Sequence, residues 1–202
     1  MTKAKERELI DRVLSGEPEA FESLVLQNQR KIYNLCLRMT GNTEDASDLT
    51  QDAFLKAYQN LGSFKGESGF SLWLYRLASN VCIDHLRREK RREKSSLTYL
   101  DESGAAVELE LPDERFSPEV TFERRQVQEH IQQGLDTLTA EHKNILILRE
   151  LSGYSYDEIA AVLDLSAGTV KSRISRARLA LCKFLLQEGN ILGENASIET
   201  DR

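Results

Sequence analysis

The sequence contains few residues that end helices, and it has no long apolar run. Only three prolines and eleven glycines occur among 202 residues, while apolar residues recur every three to four positions, a period typical of amphipathic helices. No apolar run approaches the roughly 20 residues that a membrane-spanning helix needs, and the charged opening MTKAKERELIDR is unlike a secretory signal. The sequence therefore predicts an all-α, cytoplasmic protein without membrane insertion.

Cysteine is scarce too. Cys36, Cys82 and Cys182 stand far apart in the sequence, so the paired spacings of a zinc site or a redox motif are absent. All three occupy apolar positions of the helical pattern, which predicts buried free thiols. The three histidines have no cysteine or carboxylate at ligand spacing, and no glycine-rich phosphate loop occurs. The sequence thus predicts no metal site, no cofactor and no catalytic residue.

Negative charge is concentrated in two segments of the chain. The formal net charge is −6, but residues 1–94 carry +2, residues 95–120 carry −6, residues 121–187 carry +1 and residues 188–202 carry −3. We therefore expect two small helical domains, an acidic linker between them and an acidic tail. Because each domain contains a basic segment, the acidic total is no argument against nucleic-acid binding.

The linker, SSLTYLDESGAAVELELPDERFSPEV, lacks helical periodicity and contains two of the three prolines. It is predicted to be a flexible tether. DNA phosphates would repel its carboxylates, which leaves the two domains free to reach separate sites. A solubilising surface loop fits the same composition.

Capping residues predict the helix boundaries. In the first domain we expect helices over about 6–14, 18–40, 43–61 and 71–92, with Pro18 at a first helical position and Thr43 as an N-cap. In the second we expect helices over about 118–135, 139–151, 155–163 and from 166 onward. Ser155 and Glu158 are predicted to form a capping box, and Ser166 to cap the last helix.

The last helix carries charge of one sign. The segment SAGTVKSRISRARLALCKF, residues 166–184, contains five positive side chains and no carboxylate. A short helix and a tight turn precede it, which is the helix-turn-helix layout of duplex-DNA binding. A merely solvated face normally mixes charges to gain i,i+4 pairs, so DNA contact is the favoured interpretation.

Helical periodicity separates a packing stripe from a DNA-facing side on this helix. The stripe consists of Val170, Ile174, Ala177 and Leu181. On the other side, small residues lie between cations, a shape that enters a major groove, where phosphates line the rims and base edges the floor. Lys171, Ser172, Ser175 and Arg176 are predicted to reach bases and Arg173 and Arg178 to take phosphates, with Gly168 and Thr169 completing the predicted duplex-binding set.

The first domain has a basic run behind aromatic residues. LRREKRREK, residues 86–94, holds six cations and two acids and follows FSLWLYRLASN. Cations at a helix C-terminus are favourable in any case, so the run alone does not establish phosphate binding. Phe64 lies in a glycine-flanked polar loop, where stacking on single-stranded bases is a better explanation than packing. A core position is preferred for Trp73, and it is the alternative for Phe64, Phe70 and Tyr75.

A third surface is acidic. TEDASDLTQDAF contains four carboxylates, and Asp45, Asp48 and Asp52 share one helix face. Stacked like charges destabilise a helix, although the N-terminal dipole offsets part of this. A basic partner surface would relieve the rest, whereas the spacing supports metal binding only weakly.

Together these segments resemble a bacterial RNA polymerase sigma factor of the small, two-domain extracytoplasmic-function group. DLTQDAFLKAYQNLGSFKGESGFSLWLYRLASNVCIDHLRR is similar to the second conserved sigma region, and LRELSGYSYDEIAAVLDLSAGTVKSRISRARLAL to the fourth. The resemblance covers about residues 5–92 and 120–186. It implies a non-catalytic factor that binds core RNA polymerase, recognises the minus-35 and minus-10 promoter elements, assists melting and directs transcription initiation.

The resemblance also implies partners for the three surfaces. The clamp helices of the polymerase β′ subunit would be bound by Asp45, Asp48, Leu49, Gln51, Asp52 and Phe54. The non-template strand of the minus-10 element would be captured by Phe64, Lys65, Ser68, Phe70, Tyr75, Asn80, Arg87 and Arg88. The last helix would bind the minus-35 element as duplex. The polymerase β flap and an anti-sigma factor are further implied partners.

Two rival functions use parts of the same pattern. A helix-turn-helix regulator would bind duplex DNA as a dimer and sense a ligand with its first domain, but it would not need the acidic face and the loop aromatics together. An enzyme, such as a recombinase with a DNA-binding tail, would need a catalytic constellation that the sequence does not offer.

Overall fold

The computed structural model describes residues 2–66, 68–96 and 118–198, which form helices and turns without a strand. The all-α prediction is confirmed. The helices are α1 (Lys3–Leu14), α2 (Ala20–Thr40), α3 (Thr43–Gln59), α4 (Phe70–Ser96), α5 (Pro118–Asp136), α6 (Ala140–Leu146), α7 (Tyr156–Leu163) and α8 (Ala167–Ile198). A 3-10 turn spans Leu61–Ser63, and a π-helical turn, Ile147–Leu151, extends α6.

We refer to α1–α4 as the N-terminal domain and to α5–α8 as the C-terminal domain. The predicted linker lies between them, and its residues 97–117 are outside the described residues. The last helix continues to Ile198, into the segment that the sequence set apart as a tail. In the described part of the chain, no helix is long and apolar enough to cross a membrane.

Two predicted helix starts differ from the observed ones. Asn42 Oδ1 accepts hydrogen bonds from the amides of Glu44 and Asp45 at 2.8 and 3.1 Å, so Asn42 and not Thr43 is the N-cap of α3. Pro18 belongs to the turn before α2, which begins at Ala20. The end of α2 is as predicted, because Gly41 adopts the left-handed conformation, with φ 73°, that glycine adopts without strain.

The N-terminal domain has a core in which α2 packs against α1, α3 and α4. Leu24, Ile32 and Leu74 are among its fully buried side chains. Cys36 and Cys82 are buried free thiols, as predicted, but Cys182 on α8 is exposed, which contradicts its predicted burial.

The C-terminal domain is built on α8, which contacts α5, α6 and α7. Ile145, Ile159 and Ile174 are buried between these helices. Gly134 permits the close approach of α5 to α8, because a Cβ atom there would lie 2.6 Å from a Leu181 methyl carbon and 2.9 Å from the Phe184 ring. Such distances are far below van der Waals contact, so this position requires glycine unless both side chains move.

The two domains pack against each other through α4, which contacts α6 and α7. Lys143 of α6 is only 3% exposed, and its Nζ donates to the Met39 carbonyl at the end of α2 and to Asp136. Beside it, Ser79 Oγ donates to Asn144 Oδ1 at 3.2 Å, with both residues buried. Buried polar groups are stable only when hydrogen-bonded, so these pairs favour one specific arrangement of the domains.

Candidate nucleic-acid and protein interfaces

The helix-turn-helix predicted from the sequence is formed by α7 and α8. Ser155 and Glu158 make the complete capping box at the start of α7. The turn after α7 is tight because Asp164 adopts the left-handed conformation, with φ 56° and ψ 51°. Thr169 N then donates to Ser166 Oγ at 3.2 Å, which is the predicted cap of α8. The second helix of the motif is thus fixed at its start by local contacts.

The two sides of α8 differ in burial as the helical period requires. Val170, Ile174 and Ala177 are buried against the rest of the domain. Among the predicted duplex-binding residues, five are exposed, namely Gly168, Lys171, Ser175, Arg176 and Arg178, and three are half-buried, namely Thr169, Ser172 and Arg173. The side predicted to enter a groove is therefore open to a partner.

Arg178 differs from the other cations of α8 because it has a carboxylate partner within the domain. Its Nε and Nη2 donate to Glu150 Oε1 at 3.0 and 2.5 Å. This hydrogen-bonded pair raises the pKa of Arg178. Residues 166–184 contain no acid, but Glu150 of the π-helical turn neutralises one of their cations. The exposed side of α8 therefore carries less free positive charge than its sequence indicates.

The acidic face of α3 is exposed only in part. Asp48, Gln51 and Asp52 are exposed. Leu49 and Phe54, which were expected to contact the polymerase, are 4% and 8% exposed and lie in the core, so they offer little surface to a partner. Within the described ranges, no three His, Cys, Asp or Glu residues lie together in a way that could hold a metal ion.

Asp45 stands apart from the other acids of this face. Its Oδ2 lies 3.6 Å from His85 Nε2 on α4. The cleft around this pair is also lined by Arg88, Arg91 and Arg92 of the basic run. The acidic face of α3 and the basic end of α4 therefore border one another at Asp45, which sequence order does not reveal.

An apolar groove lies between α2 and α3, beside the acidic face. It has a volume of about 440 Å³, and Leu55 and Tyr58 line it with exposed side chains. The other lining residues are Phe21, Val25, Gln29, Thr50, Gln51 and Phe54. We call it the α2–α3 groove. The sequence indicates this groove through Leu55 and Tyr58, two apolar residues of α3 that are three positions apart and do not belong to the buried side of the helix.

Phe64 packs in a way that its polar loop does not predict. Its ring centroid lies 6.0 Å from that of Phe70 and 5.3 Å from that of Trp73. Phe70 is fully buried, so it has no surface on which a base could stack, contrary to its predicted role. Phe64 and Trp73 are half-buried at the edge of this cluster. Packing, which the sequence disfavoured for Phe64, thus explains much of its position.

The loop that follows Phe64 is held by α1, a helix to which the sequence assigned no role. Glu6 Oε2 accepts a hydrogen bond from Phe70 N at 3.3 Å. The Arg7 side chain lies over Gly66, where a Cβ atom would be only 2.7 Å from Arg7 Nη1. Gly66 has φ 73°, so glycine is favoured there by conformation as well as by space.

The C-terminal domain covers part of the surface predicted for the minus-10 strand. Tyr75 is 5% exposed, and its ring lies 5.0 Å from that of Tyr154, an enclosure that raises the pKa of Tyr75 through desolvation. Arg87 Nε and Nη2 donate to Glu141 Oε1 at 3.1 and 2.6 Å. The other predicted residues outside the aromatic cluster remain accessible, with Lys65, Asn80 and Arg88 exposed and Ser68 half-buried.

A second apolar groove lies on the C-terminal domain, between α5, the π-helical turn and α8. It has a volume of about 350 Å³, and Leu151 and Leu186 are exposed at its edge. The Glu150–Arg178 pair also lines it, together with Ile131, Leu135, Leu146, Ile147, Leu181, Cys182 and Leu185. We call it the α5–α8 groove. Apolar residues of α8 beyond the core stripe are the sequence signal for it.

The sequence matches two protein families in the order of these domains. Residues 24–92 match Sigma-70 region 2, and residues 128–181 match Sigma-70 region 4. The chain is 39% identical to the RNA polymerase sigma-H factor of Pseudomonas aeruginosa over 92% of its length and 96% of the relative. It belongs to the extracytoplasmic-function sigma factors. It is therefore a promoter-recognising subunit of RNA polymerase, as the resemblance implied.

Other relatives of this sigma factor agree in sequence and in fold. It is 35% identical to the ECF RNA polymerase sigma factor SigW of Bacillus subtilis, with coverage of 87% of this chain and 94% of the relative. A solved sigma factor, RpoE in complex with the anti-sigma factor NepR from Bartonella quintana, matches 82% of this chain and 96% of its own, with 27% identity and a TM-score of 0.61. CnrH, solved with the cytosolic domain of CnrY, matches 90% and 97%, with 25% identity and a TM-score of 0.62.

Proposed function

We propose that this sigma factor divides promoter recognition between two domains, residues 1–94 and 121–187, and that it works in the cytoplasm without catalytic chemistry of its own. The observation that carries this proposal is α8, whose exposed cationic side lies opposite a buried stripe in a helix-turn-helix. Strand capture and the contact with the polymerase clamp then fall to the N-terminal domain.

The C-terminal domain binds the minus-35 element as duplex in this proposal. Lys171 and Arg176 are exposed on α8 and reach base edges, while Arg173 on the flank takes a phosphate. Phosphate contacts fix the register of a helix in the groove, and base contacts supply the specificity. Arg178 contributes less than its position suggests, because Glu150 already neutralises it.

The N-terminal domain captures the non-template strand of the minus-10 element. Lys65 and Asn80 are exposed, and Phe64 and Trp73 are half-buried at the edge of the aromatic cluster. A base turned out of the duplex would stack at the edge of this cluster. Such stacking contributes about 1–3 kcal/mol per base, which offsets the few kcal/mol that unstacking costs. Melting then needs no ATP hydrolysis by this chain.

Core RNA polymerase binds two separate surfaces of the protein. The β′ clamp helices meet the exposed carboxylates Asp48 and Asp52, and apolar side chains at the interface enter the neighbouring α2–α3 groove. The α5–α8 groove accepts a helix of the β flap, because an apolar groove of this kind binds the apolar face of an amphipathic helix.

Promoter binding requires the domains to separate. Tyr75 and Arg87 contact Tyr154 and Glu141 in the packed arrangement, so they are not free for the minus-10 strand. The isolated protein should therefore bind promoters poorly, and polymerase would stabilise the separated form. An anti-sigma factor is a further proposed partner, and the similar sigma factor solved with NepR supports it.

Run-off transcription with purified core polymerase on genomic fragments, followed by sequencing of the start sites, tests the proposal. We expect promoter-selective initiation that depends on this protein. Core polymerase that gains no selectivity would overturn the proposal. Tight binding of the isolated protein to a palindromic duplex in a gel shift would instead favour the dimeric regulator.

A further inference from the structure

Two buried cysteines meet in the core of the N-terminal domain although 46 positions separate them in the sequence. Cys36 lies on α2 and Cys82 on α4, and both thiols are fully buried. Cys82 Sγ donates to Cys36 Sγ at 3.6 Å. The distance leaves no atom between the two sulfurs, so a modest approach of the two helices would bring them within bonding range.

The surroundings make the two thiols chemically different. The hydrogen bond from Cys82 lowers the pKa of Cys36. Donation of that hydrogen bond, together with burial, raises the pKa of Cys82. Thiolates are the reactive species in thiol oxidation, so the lowered pKa favours Cys36 as the thiol that reacts first, and the 3.6 Å separation places Cys82 within reach of its sulfur.

We propose that Cys36 and Cys82 form a redox site that a peroxide converts to a disulfide bond between α2 and α4. The Cys36 thiolate attacks one peroxide oxygen, which breaks the O–O bond and gives a sulfenic acid and an alcohol or water. Cys82 then attacks the Cys36 sulfur and expels water. The two thiols lose two electrons and two protons in total, and the peroxide is reduced. This inference does not depend on the proposed function.

The C-terminal domain limits access to the pair. Ser79 lies one helical turn before Cys82 and bonds Asn144, and Met39 lies one turn after Cys36 and accepts from Lys143. Helix α6 therefore covers the end of the site that faces the other domain. Oxidation should be slower at this pair than at the exposed Cys182, so Cys182 has to be removed to follow it cleanly.

The test uses the full-length Cys182→Ser protein and excess hydrogen peroxide. After the peroxide is destroyed, the protein is unfolded, treated with a thiol-alkylating reagent and analysed by mass spectrometry. We expect a loss of two hydrogens, no alkylated thiol and a cross-linked peptide that contains Cys36 and Cys82. Dithiothreitol should restore both thiols.

Two matched variants show whether both cysteines are required. Cys36→Ala and Cys82→Ala in the same background should give no cross-linked peptide, and circular dichroism should show unchanged helix content. The proposal is overturned if both thiols of the Cys182→Ser protein are still alkylated after excess peroxide has acted for many times longer than Cys182 needs to oxidise in the unsubstituted chain. Disulfides found only between chains would overturn it as well.

Discussion

The two domains present their DNA-binding candidates in opposite ways. In the C-terminal domain they lie on the outer side of one helix, where Lys171, Ser175 and Arg176 are exposed. In the N-terminal domain they are spread over a loop, a core and an interdomain contact, so that Phe70 and Tyr75 are buried. The surface predicted to bind duplex DNA is already exposed on a single helix. The surface predicted to bind the single strand is assembled from several segments, and the C-terminal domain covers part of it.

The largest effect is expected from Asp52→Lys, which tests the polymerase contact that we propose for the acidic face of α3. Asp52 is exposed on α3, so the substitution should leave the fold intact. A lysine facing a basic partner surface would lower affinity by several kcal/mol, because like charges then oppose across the interface. Pull-down with core polymerase should show loss of binding, while duplex binding by α8 is unchanged.

Glu8→Lys is the matched control for this substitution, since Glu8 is an exposed acid on α1 away from the acidic face. It should keep polymerase binding. Retained binding by Asp52→Lys, with helix content unchanged by circular dichroism, would contradict the assignment of this face to the polymerase.

A smaller effect is expected when the packed arrangement is loosened by Lys143→Met. The substitution keeps the apolar stem but removes the ammonium that bonds the Met39 carbonyl and Asp136. Of these two bonds, only the one to Met39 joins the two domains. A hydrogen bond of a charged group contributes about 1.5–3 kcal/mol, so the population with separated domains should rise about 10- to 150-fold. Since apparent affinity scales with that population, binding of single-stranded DNA should strengthen by up to the same factor.

Fluorescence anisotropy with labelled single-stranded DNA measures this change, and small-angle X-ray scattering measures the accompanying expansion. Lys31→Met, which removes an exposed cation of α2, is the control and should change neither quantity. Expansion without stronger strand binding would mean that Tyr75 and Arg87 do not bind the strand.

Arg176→Ala and Arg178→Ala test whether these two arginines of α8 have different roles. Arg176 is predicted to read a base, so its loss should reduce discrimination at one base pair of the minus-35 element by about 1–3 kcal/mol. Arg178 is paired with Glu150, so its loss should weaken all sequences slightly and equally. Competition among minus-35 variants in holoenzyme binding separates the two patterns. Uniform weakening by Arg176→Ala would make Arg176 a phosphate contact.

The smallest effect concerns the capping box of α7 and its dependence on pH. The hydrogen bond from the Ser155 amide lowers the pKa of Glu158 below its ordinary value of 4.5. The carboxylate therefore stabilises the fold above pH 4.5, and this contribution is lost as the pH falls through the lowered pKa. Because Glu158 is exposed, we expect less than about 1 kcal/mol.

Urea unfolding at several pH values checks this expectation. Glu158→Gln keeps an acceptor for the Ser155 amide but cannot titrate, so its stability should vary less between neutral and acidic pH. Asp157→Asn, a substitution of the neighbouring acid, is the control, and this variant should still lose stability at acidic pH. If Glu158→Gln and the unsubstituted protein lose the same stability as the pH falls, the Glu158 carboxylate does not contribute to the pH dependence of folding.

Local chemistry made the C-terminal motif predictable. The capping box at Ser155 and the cap at Ser166 depend on residues three positions apart, which the sequence displays directly. The buried stripe of α8 follows from the helical period in the same way.

The remaining features depend on contacts between distant parts of the chain. Lys143 reaches Met39 across 104 positions, and the Glu6 carboxylate holds Phe70 N across 64. No local sequence pattern predicts that Lys143 is buried, and none predicts that α1 contacts the loop before α4. The packing of Phe64 was missed for a different reason, because Trp73 is only nine positions away and the path of the loop between them decides whether the two rings meet.

The end of α4 at Ser96 and the start of α5 at Pro118 set an upper limit on how far the domains can part while both helices stay intact. The intervening residues 97–117 can span at most about 70 Å when fully extended. The covalent chain thus limits the separation of the two domains, and removing residues from this segment should lower the greatest interdomain distance that X-ray scattering detects.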